Sequence, residues 1–174
     1  MSIISKSDLF KRQITLSEIG ELGQQKLQDA KVLVVGCGGL GSPIAVYLAS
    51  SGIGKLHLID FDTVAITNLH RQVFYSLDDV DHYKSKCLAN FIQKRTPFTQ
   101  VSFSTQALTK ENASMLISEY DIIVDGTDSL PTKYLLNDDP SSIFFLCSSD
   151  PPYLIPGEVI DPLLLFFQVL LYNF

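Results

Sequence analysis

The residues with the clearest chemistry lie between Lys31 and Gln72. Gly36-Cys37-Gly38-Gly39-Leu40-Gly41 has the composition of a phosphate-cradling loop. Gly36 permits a tight turn off a strand, Gly38 lets backbone approach a phosphate, and Gly41 lets a helix pack on the sheet. Free N–H groups at the start of that helix attract anions, helped by the helix dipole at roughly 0.3–1 kcal/mol per favourable charge. Further on, Asp60-Phe61-Asp62 supplies a carboxylate, Asp60, that can accept both ribose hydroxyls. Glycine-rich turns also serve plain helix–sheet packing, so the flanking elements have to decide.

Those elements fit. Lys31-Val32-Leu33-Val34-Val35 is a short apolar run that reads as a strand buried on both faces. Ser42 to Ser51 carry a helical pattern, and Lys55 to Asp60 read as a second strand. Strand, glycine loop, helix, strand and acid together make a βαβ nucleotide-binding unit. Downstream, a helix is expected over 84–95, stopping before Thr96-Pro97 because a proline disfavours helix in the preceding residue. A strand follows at 101–104, a helix at 110–118, and a buried strand at 121–125 that ends in Gly126-Thr127-Asp128-Ser129. A last helix begins at Lys133 and is cut short by Pro140. The tips bearing Gly36, Asp60 and Gly126 to Asp128 should share the carboxyl edge of one sheet, where open α/β sheets hold ligands.

Three segments result. Residues 1–30 read as a helical lead-in, with Ser17 capping a helix near Glu18 and with Gly20 and Gly23 weakening it. Residues 31–138 form the nucleotide-binding α/β domain. Residues 139–174 form a hydrophobic tail divided by Pro140, Pro151, Pro152, Pro156 and Pro162. Its run from Leu163 to Phe174 carries no charge and needs a cover.

Bulk properties narrow the function. The 174 residues are 46% hydrophobic and 18% charged, which describes a globular chain rather than a disordered one. A net charge of −6 and a pI near 4.9 argue against a nucleic-acid surface. Any phosphate site must then use a few placed cations. Cys37, Cys87 and Cys147 show no paired spacing, which points to a reducing compartment and no zinc site. The N-terminus lacks a signal-peptide core, and no stretch approaches the ~20 apolar residues of a membrane span. A cytoplasmic protein is expected.

With these pieces placed, residues 9 to about 138 resemble the ThiF/MoeB/HesA family, bacterial relatives of ubiquitin-activating enzymes. The resemblance rests on Arg12-Gln13-Ile14, the Gly36 to Gly41 loop, Asp60-Phe61-Asp62-x-Val64, Asn68-Leu69-x-Arg71-Gln72, a lysine near 84, and Asp125-Gly126-Thr127-Asp128. It implies a Rossmann-like, doubly wound, mainly parallel α/β fold. It further implies an adenylyltransferase that uses ATP and magnesium on the C-terminal glycine carboxylate of a ubiquitin-like sulfur-carrier protein. Such carriers serve thiamine or molybdenum cofactor synthesis. By that resemblance Arg71 and Lys84 hold phosphates, Asp128 orients magnesium, and Asp60 holds ribose. Asn68 and Gln72 help fix the α-phosphate and the incoming carboxylate. Gly36, Gly38, Gly39, Leu40, Gly41, Asp62 and Ser129 complete the nucleotide site, and Arg12 reaches into the neighbouring subunit of a homodimer. Lys86 competes with Lys84 for the lysine role, and the distance to Pro97 favours Lys84.

The sequence also departs from the family pattern. Ser129 stands where asparagine is usual, and beyond Asp138 the pattern is lost, including the Cys-x-x-Cys zinc ligands and the crossover loop. Gln168 to Phe174 faintly resembles the family's next strand. The expectation is the ATP-binding half of such an enzyme with a truncated or divergent end, and no structural zinc. A non-catalytic ATP-binding interaction subunit is the alternative. An NAD-dependent oxidoreductase would rest on the glycine loop and Asp60 alone, leaving Asn68, Arg71 and Gln72 without a role.

Overall fold

The computed structural model describes residues 5–137 and 143–146. Within the Pro-divided tail, Cys147 and the 163–174 run lie outside the described residues. In chain order the elements are α1 (Lys6–Ile14), α2 (Gly20–Asp29), β1 (Lys31–Val35), α3 (Gly41–Ser51), β2 (Lys55–Ile59), α4 (Lys84–Arg95), β3 (Gln100–Ser104), α5 (Lys110–Ile117), β4 (Ile122–Asp125), α6 (Leu130–Asn137) and β5 (Ile143–Leu146). Two 3₁₀ turns, Ile66–Asn68 and Leu77–Asp79, lie between β2 and α4.

The five strands are all parallel and run in the order β3-β2-β1-β4-β5. β1 is central, pairing Val34 with Leu58 on one side and with Val124 on the other. Helices cover both faces, which is why β1 is a continuous apolar run rather than an alternating one. Val32, Val34, Leu56, Leu58 and Val124 pack beneath α3 and α4 with Ala45, Leu48, Leu88 and Ile92. Leu33, Val35, Ile59 and Ile123 pack on the opposite face with Ala113 and Ile117 of α5 and Leu136 of α6. The chain is thus a doubly wound, Rossmann-like α/β fold. The strand order reverses between β1 and β4, and their carboxyl tips open a crevice there.

Three local expectations need correction. The lead-in is two helices, not one. Ser5, not Ser17, caps the first of them, its hydroxyl accepting from the Asp8 N–H at 3.1 Å. Ser17 instead donates to Glu18, and α2 starts at Gly20 with no side-chain cap. α6 begins at Leu130, three residues before the expected Lys133. Pro131 in its first turn lacks only an N–H that a helix start leaves unpaired, and the Ser129 hydroxyl accepts from Thr132 N–H and Oγ1. Finally, Ile143–Leu146, grouped by sequence with the tail, extends the sheet beside β4.

The two N-terminal helices are fastened by amides. Gln24 is buried, donates to the Ser51 carbonyl at 3.1 Å, and accepts from Gln13. Gln13 donates to the same carbonyl at 2.7 Å. α1 and α2 are therefore tied to the C-terminal end of α3, the end remote from the glycine loop. Gln24→Ala leaves Gln13 short of a partner and opens a void. Urea unfolding should show a loss of about 1–3 kcal/mol, the range for breaking a buried hydrogen-bonded group. Unchanged stability would mean that the amide cluster does not fasten these helices.

Candidate functional site

At the carboxyl edge the strand tips surround a cleft of about 640 Å³. β1 delivers Gly36, Gly38, Gly39 and Leu40, β2 delivers Asp60 and Asp62, and β4 delivers Gly126, Thr127, Asp128 and Ser129. The loop after β2 adds Asn68, Arg71 and Gln72, and the start of α4 adds Lys84. Residues more than 90 positions apart in sequence therefore face one space because the strands are parallel. The exposed Lys86 does not line the cleft, whereas Lys84 does.

Close glycine packing makes the mouth. Gly36 leaves β1 with φ +87°, a left-handed conformation, and a Cβ there would stand 2.8 Å from Thr127 Cγ2. A Cβ on Gly41 would lie 1.8 Å from the Gly36 carbonyl oxygen, so α3 can start only where position 41 has no side chain. Gly41 does not line the cleft; its place is in this packing contact. Among the described residues, the backbone N–H groups of Gly38, Gly39 and Leu40 donate to no protein acceptor. They are open to an anion at the start of α3.

The acids and cations are held differently. Asp60 Oδ2 accepts from the Cys37 N–H at 2.7 Å, and Oδ1 accepts from the Asp62 N–H at 2.8 Å. Burial pushes the Asp60 carboxyl above its ordinary range, with those two N–H groups and Lys84 pulling it back. Each oxygen keeps acceptor capacity for a further donor such as a sugar hydroxyl. Lys84 is buried and its ammonium bonds Asp62 Oδ2 at 2.9 Å. Arg71 is exposed and its stem lies beside Gly39, with Cγ 3.9 Å from where a Cβ would stand. Gln72 is 4% exposed, and its Oε1 has no partner among the described residues. Asp128 is exposed at the cleft wall.

Arg12 is the predicted residue that the fold takes elsewhere. It adjoins Gln13, which bonds the far end of α3. That helix has 11 residues, about 16 Å at 1.5 Å per residue, between Arg12's anchor and the glycine loop. Arg12 does not line this chain's cleft.

Several lining residues were not legible from sequence. Gln106, Ala107 and Leu108 follow β3, and Thr132 comes from α6. Tyr75 braces the site from beneath, its buried hydroxyl donating to the Cys37 carbonyl at 2.7 Å. The only sequence signal for it was its closeness to Arg71 and Gln72. No group of three or more His, Cys, Asp or Glu side chains suited to a metal occurs among the described residues. A magnesium ion carried with phosphates needs only one or two protein carboxylates, so Asp128 fits that demand.

A cleft of this kind, with open N–H groups, placed cations and an acid at the switch point, lies where doubly wound α/β proteins hold their ligands. Residues 10–140 match the ThiF family, and the chain belongs to that family. It is 46% identical over 129 residues to the adenylyltransferase and sulfurtransferase MOCS3 of Anopheles gambiae, covering 74% of this chain and 29% of that protein. It is 40% identical over 131 residues to a sulfur carrier protein adenylyltransferase of Thermus thermophilus, covering 75% of this chain and 48% of that protein. A solved structure of the E. coli tRNA N6-threonylcarbamoyladenosine dehydratase TcdA in complex with ATP superposes with a TM-score of 0.70. That match is 34% identical and covers 77% of this chain and 56% of TcdA. The chain therefore spans less than half the length of both curated relatives.

Cys37 lies within the glycine loop, but it is a packing residue. It is fully buried, and burial first, with Asp60 nearby, pushes its thiol well up while Lys84 pulls it down. Thiolate, not thiol, is the nucleophile. Iodoacetamide near neutral pH should leave Cys37 unlabelled in the folded protein and label it in urea, as mapped by mass. Rapid labelling of folded protein would contradict this placement.

Proposed function

We propose that this chain is the ATP-binding part of an adenylyltransferase acting on the C-terminal carboxylate of a ubiquitin-like sulfur-carrier protein. One observation carries the reading: Arg71 and Lys84 share a single cleft with Asp60, Asp128 and the open N–H groups of the glycine loop. The relatives named above as adenylyltransferases support it.

The reaction joins two anions. The carrier carboxylate attacks the α-phosphorus, the bond to the bridging oxygen breaks, and pyrophosphate leaves with that electron pair. Positive charge has to offset the repulsion where it develops. In this reading the loop N–H groups and Lys84 hold phosphate oxygens, and Arg71 offers a planar two-pronged contact. Asp60 accepts from the ribose, while Asn68 and Gln72 orient the α-phosphate, Gln72 through the unpartnered Oε1. Magnesium, held through Asp128 and the phosphates, supplies charge neutralisation when bound. Arg12 cannot serve its own cleft, and a homodimer that places it in the partner's cleft accounts for its position. The protein works in the cytoplasm, without nucleic acid or membrane.

The alternative is a nucleotide-binding interaction subunit without turnover. Ser129 favours it in one respect, because its hydroxyl is engaged at the start of α6 where the family pattern has asparagine. ATP–pyrophosphate exchange driven by a candidate carrier separates the two, since binding without exchange supports the subunit.

Arg71→Ala tests the leading reading at one residue. The side chain is exposed, so thermal melting should be unchanged. Exchange should fall by about 10³-fold, the order seen for a charged transition-state contact in phosphoryl transfer, and Arg71→Lys should restore only part of it. A variant that melts normally and keeps most of its activity removes Arg71 from the site.

A further inference from the structure

Asp62 lies two residues beyond the ribose-type acid and is bound to a different task. Its Oδ2 accepts from the Lys84 ammonium at 2.9 Å, and its carbonyl accepts from the Lys84 N–H, also at 2.9 Å. The two segments are joined along their length. Val64 N–H donates to the His82 carbonyl at 2.8 Å, Asp81 N–H donates to the Val64 carbonyl at 2.9 Å, and Thr63 bridges Tyr83. Lys84 is held both by backbone and by charge.

Burial makes the pair unequal. The Lys84 side chain is 6% exposed and the Asp62 side chain 52%. An ammonium that deep needs a counter-charge, and among the described residues Asp62 is its one hydrogen-bonded side chain. The Lys84 ammonium hydrogen-bonds Asp62 and not Asp60, whose two oxygens each accept a backbone N–H. A lysine is a point charge on a flexible four-carbon stem, so without an anchor its position spreads over rotamers. Its head has three donors, and one bond to Asp62 leaves two for a ligand.

The geometry points to Asp62 as a positioning residue that aims the Lys84 ammonium at the phosphates of ATP, rather than as a group that touches the nucleotide. This rests on the nucleotide reading of the cleft given above. Two effects oppose each other here. The Asp62 charge repels phosphate, but it is half in water and is screened over that longer distance. Its hold on Lys84 is a direct 2.9 Å contact to a buried ammonium and is screened less. Loss of aim outweighs relief of repulsion.

Calorimetric titration of the whole chain with ATP and with adenosine tests the assignment. The proteins are wild type, Asp62→Asn, Asp62→Glu, Lys84→Met and the double variant Asp62→Asn/Lys84→Met. Asp62→Asn should weaken ATP about tenfold, the order for losing one charge-assisted hydrogen bond, and leave adenosine unchanged. Asp62→Glu should restore part of the ATP affinity. Asp62→Asn should have no further effect once Lys84 is gone. ATP bound equally or more tightly by Asp62→Asn overturns the inference. So does an equal loss for adenosine, or a loss that persists in the Lys84→Met background, because either marks a merely structural role. A wild-type chain that binds neither ligand overturns the nucleotide reading itself and this inference with it.

Discussion

Where β1, α3 and β4 meet, there is no room for a side chain. A Cβ on Gly41 would sit 1.8 Å from the Gly36 carbonyl oxygen, and one on Gly126 would sit 2.7 Å from the Gly41 Cα. Real Cβ atoms do not make such contacts, so this junction closes only with glycine. Its closure sets the rest of the edge. The start of α3 is drawn onto the tip of β1, which leaves three backbone N–H groups facing the cleft. Thr127 is brought against Gly36, and its neighbour Asp128 thereby joins the same wall. Tyr75 then locks the arrangement from below through the Cys37 carbonyl.

Charge is local in this protein. The chain carries −6 overall, so no general positive field draws a phosphate in. Two cations line the cleft, and they are held in opposite ways. Arg71 is exposed and free to close on a ligand, with its stem along Gly39. Lys84 is buried and tied to an acid. The acids are also divided: Asp60 accepts one backbone N–H on each oxygen and is partly desolvated, Asp62 is engaged by Lys84, and Asp128 stands exposed. Three carboxylates beside two cations would be poor electrostatics for an anion if all were equivalent. Their separate engagements are compatible with the proposed phosphate site.

Much of this was legible in the sequence, for a physical reason. β1 and β4 are apolar runs buried on both faces and show as nearly unbroken stretches, β2 alternates before it ends at Asp60, and parallel topology gathers those ends. What sequence missed depends on contacts between distant segments. The two N-terminal helices are separated by a turn over residues 15–19 and pinned by Gln13 and Gln24 to Ser51, which no local pattern announces. The helix expected from Lys133 begins at Leu130 because Pro131 sits in its first turn, where it is tolerated. β5 was hidden among Pro-divided apolar pieces, since an apolar run of four does not reveal its partner. Gln106 to Leu108 line the cleft only because β3 pairs beside β2.

The central claim is that this switch-point cleft takes ATP and not a dinucleotide, although glycine loop and acid are common to both kinds of site. NMR titration of the isotope-labelled chain with ATP and with NADH decides it. ATP should shift the amides of Gly38, Gly39, Asp62 and Ser129 together and saturably, with NADH leaving them unmoved at the same concentrations. Tighter binding of NADH at those amides, or ATP shifts confined to residues away from the cleft, would contradict the account.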